Sequence, residues 1–343
     1  MKAMLLEKTC DLMAVTEPLR LADVERPEPL SGEVRIRVNV CAVCHTELDE
    51  IEGRTPPPVF PVIPGHQVVG TIDALGAGVT THAVGDRVGV GWIFSACGEC
   101  EQCQRGNENL CAEFQATGRD RHGGYGEYMC APAGFAIPVP DALPDIAAAP
   151  LFCAGAIGYR SLRLTGLTNG EPLGLTGFGA SAHLVLKLAQ RQFPDSAVFV
   201  FARSAHEQAF ARELGASWAG GTDDRPPAQP GAIIDTTPAW QPILAALKCL
   251  APGGRLVINA IRKESKDQHL LSNLSYPEHL WMEKEIKSVA NVTRRDIAEF
   301  LALAAELDLK PQTQTYALAE ANQAILEVKR GDIQGAKVLQ VAD

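Results

Sequence analysis

The spacing of apolar residues changes period along this chain, and the change predicts its organisation. From Met1 to about Pro150, short β-branched runs such as Val34-Arg35-Ile36-Arg37-Val38, Val68-Val69-Gly70-Thr71-Ile72 and Arg87-Val88-Gly89-Val90 alternate with Gly and Pro turns. A two-residue period predicts strands, and many short ones in succession predict a β-rich barrel. From about Leu151 to Lys287, strand candidates at 172–176, 197–201, 232–235 and 255–260 are separated by segments of helical period. That is a βαβ series, and it implies a parallel sheet. A helical segment over 295–306 and a final run Lys337-Val338-Leu339-Gln340-Val341 read as a return to the first domain. The predicted fold class is α/β: a β-barrel domain over 1–150 and 288–343, with a doubly wound parallel-sheet domain over 151–287 inserted in it.

Composition narrows the function. With 343 residues, 46% of them hydrophobic, the chain can build two cores. A formal charge of −10, with no compensating block of Lys and Arg, argues against a nucleic-acid or anionic-membrane partner. The expected partner is a small molecule. No internal repeat or low-complexity tract interrupts the pattern, and Pro56-Pro57-Pro58 and Arg225-Pro226-Pro227 read as turns. The segment Met1-Lys2-Ala3-Met4-Leu5-Leu6-Glu7-Lys8 has no uninterrupted apolar run of the kind a secretory leader needs, and no stretch is long enough to span a bilayer. A cytoplasmic location is expected.

Cysteine spacing carries the first chemistry. Cys97, Cys100 and Cys103 recur every third residue, and Cys111 returns after seven intervening residues. Zinc accepts four thiolates tetrahedrally, so three ligands on a tight turn and a fourth across a short loop can close one site. Such a site is structural. A disulfide framework would require an oxidising compartment, and an iron–sulfur cluster is the minor competitor. Cys10, Cys41, Cys130 and Cys249 have no partner by spacing and read as core or half-buried thiols.

Within the βαβ series, Leu173-Gly174-Leu175-Thr176-Gly177-Phe178-Gly179-Ala180-Ser181-Ala182 runs into an apolar helical segment. Gly177 allows the tight turn, Gly179 lets backbone approach a pyrophosphate, and Ala182 supplies the small third position for packing helix on strand. Ala180 and Ser181 then present the amides of a helix N-terminus to the phosphates. The next strand ends in Ala202 where an NAD-type site would carry Asp or Glu. Arg203 and Ser204 follow, a guanidinium and a hydroxyl suited to a 2′-phosphate, so the reading leans to NADP(H), with NAD(H) usable if Arg203 only stacks on adenine.

Three separated segments, Cys41-Ala42-Val43-Cys44-His45-Thr46-Glu47, Pro64-Gly65-His66-Gln67 and Leu151-Phe152-Cys153-Ala154-Gly155, each offer a further candidate zinc ligand. Cys44, His66 and Cys153 make a two-Cys, one-His set with a fourth position open to water or substrate, the composition of a catalytic zinc site. Taken singly, each residue is ordinary: a lone Cys in an apolar run is usually core.

These segments, the cysteine lobe and the dinucleotide turn occur in the order seen in the zinc-dependent medium-chain alcohol dehydrogenases, and nearly the whole chain resembles that family. The resemblance implies a GroES-like barrel domain with one catalytic and one structural zinc, and a Rossmann domain carrying NAD(P). It implies Cys44, His66 and Cys153 as catalytic zinc ligands, His45 near the cofactor pyrophosphate, and Thr46 as the hydroxyl that relays the substrate proton. Glu47 takes the position of the carboxylate that orients the ligand His, and Asp49 the position of the terminal relay group. Trp92 stands where the family often places a bulky residue against the substrate, narrowing the pocket towards small or primary alcohols; a packed loop aromatic is the alternative.

The chain departs from the family pattern at Gln67, where Glu is usual after the ligand His. It also carries Ile157 in place of a Thr, and Ala336-Lys337 in place of an Arg. The expected activity is hydride transfer between NAD(P)(H) and a primary alcohol or aldehyde, by a homodimer or homotetramer. A polyol or secondary-alcohol dehydrogenase, or a non-catalytic zinc- and nucleotide-binding member of the fold, is the alternative.

Overall fold

Alternation becomes strand where the sequence predicts it. In the computed structural model, which describes residues 1–331 and 335–341, the first strands are β1 (Lys2–Leu6), β2 (Leu19–Asp23), β3 (Glu33–Val43), β4 (Gln67–Leu75) and β5 (Arg87–Val90). They are followed by β6 (Ile93–Ser95), β7 (Gln115–Ala116), β8 (Tyr128–Pro132) and β9 (Ile137–Pro138). Three short helices interrupt them: α1 (His45–Ile51), α2 (Glu101–Gln104) and α3 (Asp145–Ala148).

After α4 (Ala154–Thr165) the pattern becomes β10 (Leu173–Thr176), α5 (Ala180–Gln192), β11 (Val198–Phe201), α6 (Ala205–Glu213) and β12 (Trp218–Gly220). It continues through β13 (Ala232–Asp235), α7 (Gln241–Cys249), β14 (Arg255–Ile258) and β15 (Glu285–Ser288). The chain then gives α8 (Arg294–Glu306), β16 (Thr313–Ala317), α9 (Ala321–Arg330) and β17 (Ala336–Gln340). Two compact units result, Met1–Ala156 with Asn291–Asp343, and Ile157–Ala290. One division falls inside α4, because the helix that follows Cys153 is continuous.

In the first unit the sheet runs β16-β17-β3-β4-β5-β9. Eleven residues long, β3 shares one edge between two partners: Glu33–Arg37 pairs with β8, and Val40–Val43 with β17. Its other edge carries β4, with register shifts at Arg35/Ile36 and Val38/Val40. Irregularities of this kind bend strands and let a sheet curl into a barrel. Val34, Ile36 and Val38 point into the core and are fully buried, each contributing about 1.5–3 kcal/mol relative to exposure. Arg35 breaks the alternation. It is buried too, its guanidinium paired with Asp73 at 2.8 Å and Glu28 at 2.7 Å.

The second unit is a six-stranded parallel sheet in the order β12-β11-β10-β13-β14-β15. Every residue of β10, β11 and β13 is buried, as expected of parallel strands covered on both faces. The chain winds outward from β10 to β12 and then restarts at β13 on its other side, so a topological switch point lies between β10 and β13. No helix among the described residues is long and apolar enough to cross a membrane.

Candidate active site

Cys44, His66 and Cys153 converge within the first unit, their ligand atoms all within 4.8 Å of one another. Three different local devices bring them there. Cys44 is the N-cap of α1, in an extended conformation. His66 follows Gly65, whose φ of +97° is left-handed and whose absent Cβ would lie 2.3 Å from the Tyr125 ring and 2.9 Å from Cys41 Sγ. Only glycine fits there. Cys153 closes the 3₁₀ turn Ala149–Phe152. Phe152 anchors that turn where Gly89 has no Cβ, and Gly155 leaves room for Phe300 of α8.

The geometry fits a metal. Cys44 Sγ and Cys153 Sγ are 3.8 Å apart, and sulfurs held tetrahedrally about 2.3 Å from one zinc ion stand about 3.8 Å apart. Both ring nitrogens of His66 are buried without a regular hydrogen bond among the described residues, and Nδ1 lies 2.6 Å from Glu47 Oε1. A buried imidazole nitrogen left unpartnered while the other faces a carboxylate is the arrangement of a ligand histidine.

The three side chains act on one another's protons. The contact with Cys153 draws the Cys44 thiol well below its usual range, burial opposing and His66 assisting. The same contact, with burial, pushes Cys153 well above it. Burial disfavours a charged His66, but Glu47 and Cys44 outweigh it and hold the ring well above its ordinary pKa.

Glu47 does two jobs. Its Oε2 accepts the Cys44 N–H at 2.8 Å while Oε1 faces His66, so one buried carboxylate caps α1 and orients the imidazole. Thr46 is buried with Oγ1 3.7 Å from Cys44 Sγ, and His45 is exposed on the first turn of α1. Gln67 is buried at the first position of β4, opposite Ala42.

Asp49, the expected terminal relay group, is buried and ion-paired to Arg54 at 2.5 Å. Lys337, near the position of the family's arginine, is likewise committed. Its ammonium is buried against Glu327 and donates to Tyr316 Oη at 2.8 Å.

The second cluster is Cys97, Cys100, Cys103 and Cys111, again with all sulfurs within 4.8 Å. Cys111 and Cys97 are 3.5 Å apart, and Cys97 and Cys103 3.9 Å. Backbone amides of Cys100, Cys97 and Glu113 donate to these sulfurs at 3.3–3.4 Å. Amides of Cys100 and Glu99 lower the Cys97 thiol to about 7, while burial raises Cys103 to about 12. Four sulfurs and backbone donors fill the site, and no position is left for a reactant.

In the second unit, Gly177 has φ +76°, and a Cβ there would meet Thr236 and Thr237 at 2.9 Å. Gly179 is the N-cap of α5 and has nothing within 4 Å of where its Cβ would be. That open space is the cradle a pyrophosphate requires. Ala182 is fully buried and Ser181 half-buried, while the side chain of Ala180 lies outside the described residues. Beneath the turn, Asp235 accepts from Thr176 Oγ1 at 2.5 Å and from the Lys263 ammonium, which also donates to the carbonyls of Thr237 and Ala239. Arg203 is exposed at the end of β11. Ser204 caps α6: its Oγ accepts from the Glu207 N–H at 3.1 Å and donates to Glu207 Oε2 at 2.9 Å.

Comparison with known proteins shows the family. Residues 30–141 match the alcohol dehydrogenase GroES-like domain family. "Probable alcohol dehydrogenase AdhA" of Mycobacterium tuberculosis is 39% identical over 331 residues, 95% of this chain and 94% of that protein. An alcohol dehydrogenase of Geobacillus stearothermophilus is 33% identical over 336 residues, covering 95% and 97%. The crystal structure of an NAD-dependent alcohol dehydrogenase superposes with a TM-score of 0.87 at 25% identity, covering all of both chains. The chain belongs to the zinc-dependent medium-chain alcohol dehydrogenase family. Its barrel unit is the GroES-like domain, and its parallel sheet the Rossmann domain, of that family.

Family resemblance alone does not point to Glu50 or Arg119. Trp92 is half-buried, with Phe114 packed at 5.3 Å between ring centroids and the Arg119 guanidinium 5.5 Å over its face. Its Nε1–H donates to Glu50 Oε1 at 3.4 Å. Glu50 lies three residues after Glu47 on α1, a spacing that puts both acids on one helix face. That spacing is the signal available in the sequence.

Proposed function

We propose that this alcohol dehydrogenase interconverts a primary alcohol and its aldehyde at the Cys44–His66–Cys153 site, with NADP(H) as the preferred hydride carrier. The observation that carries the proposal is the 3.8 Å Cys44–Cys153 spacing beside a buried, unpartnered His66 Nε2. These three residues would hold a zinc ion, which would supply Lewis acidity to lower the pKa of an alcohol hydroxyl or polarise an aldehyde carbonyl. The chain's own residues do the rest. Glu47 fixes the His66 ring, and Thr46, which can both donate and accept, passes the substrate proton outward. Cys97, Cys100, Cys103 and Cys111 would hold a second zinc, which would keep that loop in shape.

The cofactor preference rests on Arg203 at the end of β11, where no carboxylate follows the strand. One observation favours NAD(H): the Glu207 carboxylate already engages the N–H and hydroxyl of Ser204, leaving Arg203 to meet a 2′-phosphate alone. Oxidation of NADPH and NADH in parallel with butyraldehyde or benzaldehyde decides it. NADPH ahead by about tenfold, and a loss of that lead in Arg203→Gln, support the NADP(H) reading, since a charge-assisted hydrogen bond contributes about 1.5–3 kcal/mol. Preference for NADH demotes Arg203 to stacking.

We place the protein in the cytoplasm, since the Cys97, Cys100, Cys103 and Cys111 spacing is that of a metal lobe and not of a secreted disulfide framework. We assign a homodimer or homotetramer built on β15, an edge strand with all four residues exposed, Ile286 among them, and with Trp281 and Met282 exposed just before it.

A further inference from the structure

Glu50 is not one of the converging ligand residues, yet it is a buried acid, 1% exposed, with Oε2 lacking any hydrogen-bond partner among the described residues. A carboxyl in that position is costly. Burial and the neighbouring Glu47 push its pKa well above the usual carboxylate range, and a leucine would fill the same space without either penalty. Its Oε1 accepts a hydrogen bond from the indole N–H of Trp92 at 3.4 Å. Oε1 accepts that proton whether the group is neutral or charged, so the anchor does not depend on titration.

The other sides of Trp92 are fixed as well. Arg119 lies over one face and Phe114 packs against the ring. Thr117 donates its N–H to the Trp92 carbonyl at 2.8 Å and its hydroxyl to the Gly91 carbonyl at 2.8 Å. Backbone, ring face and ring edge are held by separate groups, and Glu50 alone, of those named, holds the indole N–H.

We infer that Glu50 is a positioning residue that sets substrate size by locking the Trp92 ring in one orientation against the substrate. This rests on the reading of Trp92 as a wall of the substrate site. With Glu50 in place one ring orientation is favoured, the pocket keeps one width, and bulky aldehydes are disfavoured. Without it the ring turns and the pocket accepts them, while small aldehydes lose a packing surface.

The test compares kcat/KM for 2-naphthaldehyde and butyraldehyde, with zinc per chain measured on each sample, in wild type, Glu50→Ala, Glu50→Gln and Trp92→Ala. Glu50→Ala is expected to raise the bulky-to-small ratio about tenfold, with a higher KM for butyraldehyde and wild-type zinc, the scale expected of a pocket-wall change. Glu50→Gln keeps an oxygen acceptor and is expected to hold the ratio within about twofold. If Glu50→Ala does not accumulate as folded protein, Glu50→Asp withdraws the acceptor by one methylene and is expected to shift the ratio the same way. A ratio that rises in Trp92→Ala but stays at wild type in zinc-replete Glu50→Ala or Glu50→Asp overturns the inference and leaves Trp92 in the pocket. An unchanged ratio in Trp92→Ala removes Trp92 from the pocket and the inference with it. A parallel fall for both aldehydes with loss of zinc would make Glu50 a support of the metal site only, and also overturns it.

Discussion

The two cysteine clusters bring their sulfurs to nearly the same spacing by opposite routes. In the lobe, Cys97 and Cys111 are 14 residues apart, and turns alone deliver all four thiols, which backbone amides help to hold. At the other cluster, Cys44 and Cys153 are 109 residues apart, and three unrelated devices must agree: a helix N-cap, a left-handed glycine and a 3₁₀ turn seated on Gly89. The local cluster is complete in itself. The non-local one is incomplete, with two thiols and one imidazole and a histidine whose orientation depends on Glu47. Closure suits a structural role, and an open coordination position suits catalysis.

The largest effect that would break this contrast is expected from Cys153→Ser. Lewis-acid stabilisation is worth several kcal/mol, so activity should fall about a thousandfold, with zinc dropping from about two to about one per chain. Kinetics and metal analysis on one sample check it; full activity would mean that the clusters have been given the wrong roles. Next is Thr46→Val, which keeps the β-branched shape and removes the hydroxyl. Zinc should stay bound while kcat falls about a hundredfold, the scale of positioned proton transfer. Glu47→Gln comes third: the loss of charge behind His66 should cost about 10–100-fold in zinc affinity or activity, restored in part by added zinc, and no response to zinc would remove Glu47 from that role. The smallest change in turnover is expected from Cys100→Ser in the lobe. It should lower the midpoint of thermal unfolding, by about 6–12 °C for a loss of about 3 kcal/mol in a unit of this size, while chains that keep the other zinc still turn over.

How much of this is legible in the sequence follows from the same contrast. The parallel sheet shows through because β10, β11 and β13 are buried on both faces and read as unbroken apolar runs. The lobe shows through because its ligands share one short loop. Spacing cannot connect Cys44, His66 and Cys153; each looks like an ordinary core or loop residue, and only resemblance to a family groups them.

Side-chain commitments are the least visible. Ser204-Ala205-His206-Glu207 carries the S-x-x-E signature of a capping box, which would have shown that Ser204 is engaged with Glu207 rather than free for a phosphate. Asp49 reads as a relay group by position, but its pairing with Arg54 depends on the turn that follows α1. Glu50 sits in an acidic stretch that resembles a solvated helix face, and its hydrogen bond from Trp92 spans more than forty positions.

Cobalt(II) replacement tests the central claim most directly. Both clusters contain thiolates, so each gives a visible absorption signature when zinc is exchanged for cobalt. Titrating the doubly substituted protein with an alcohol substrate is predicted to change only the Cys44–His66–Cys153 signature. That response should be absent in Cys153→Ser and intact in Cys100→Ser. A response that persists in Cys153→Ser, or that disappears in Cys100→Ser, would contradict the assignment of the open site to catalysis and the closed site to structure.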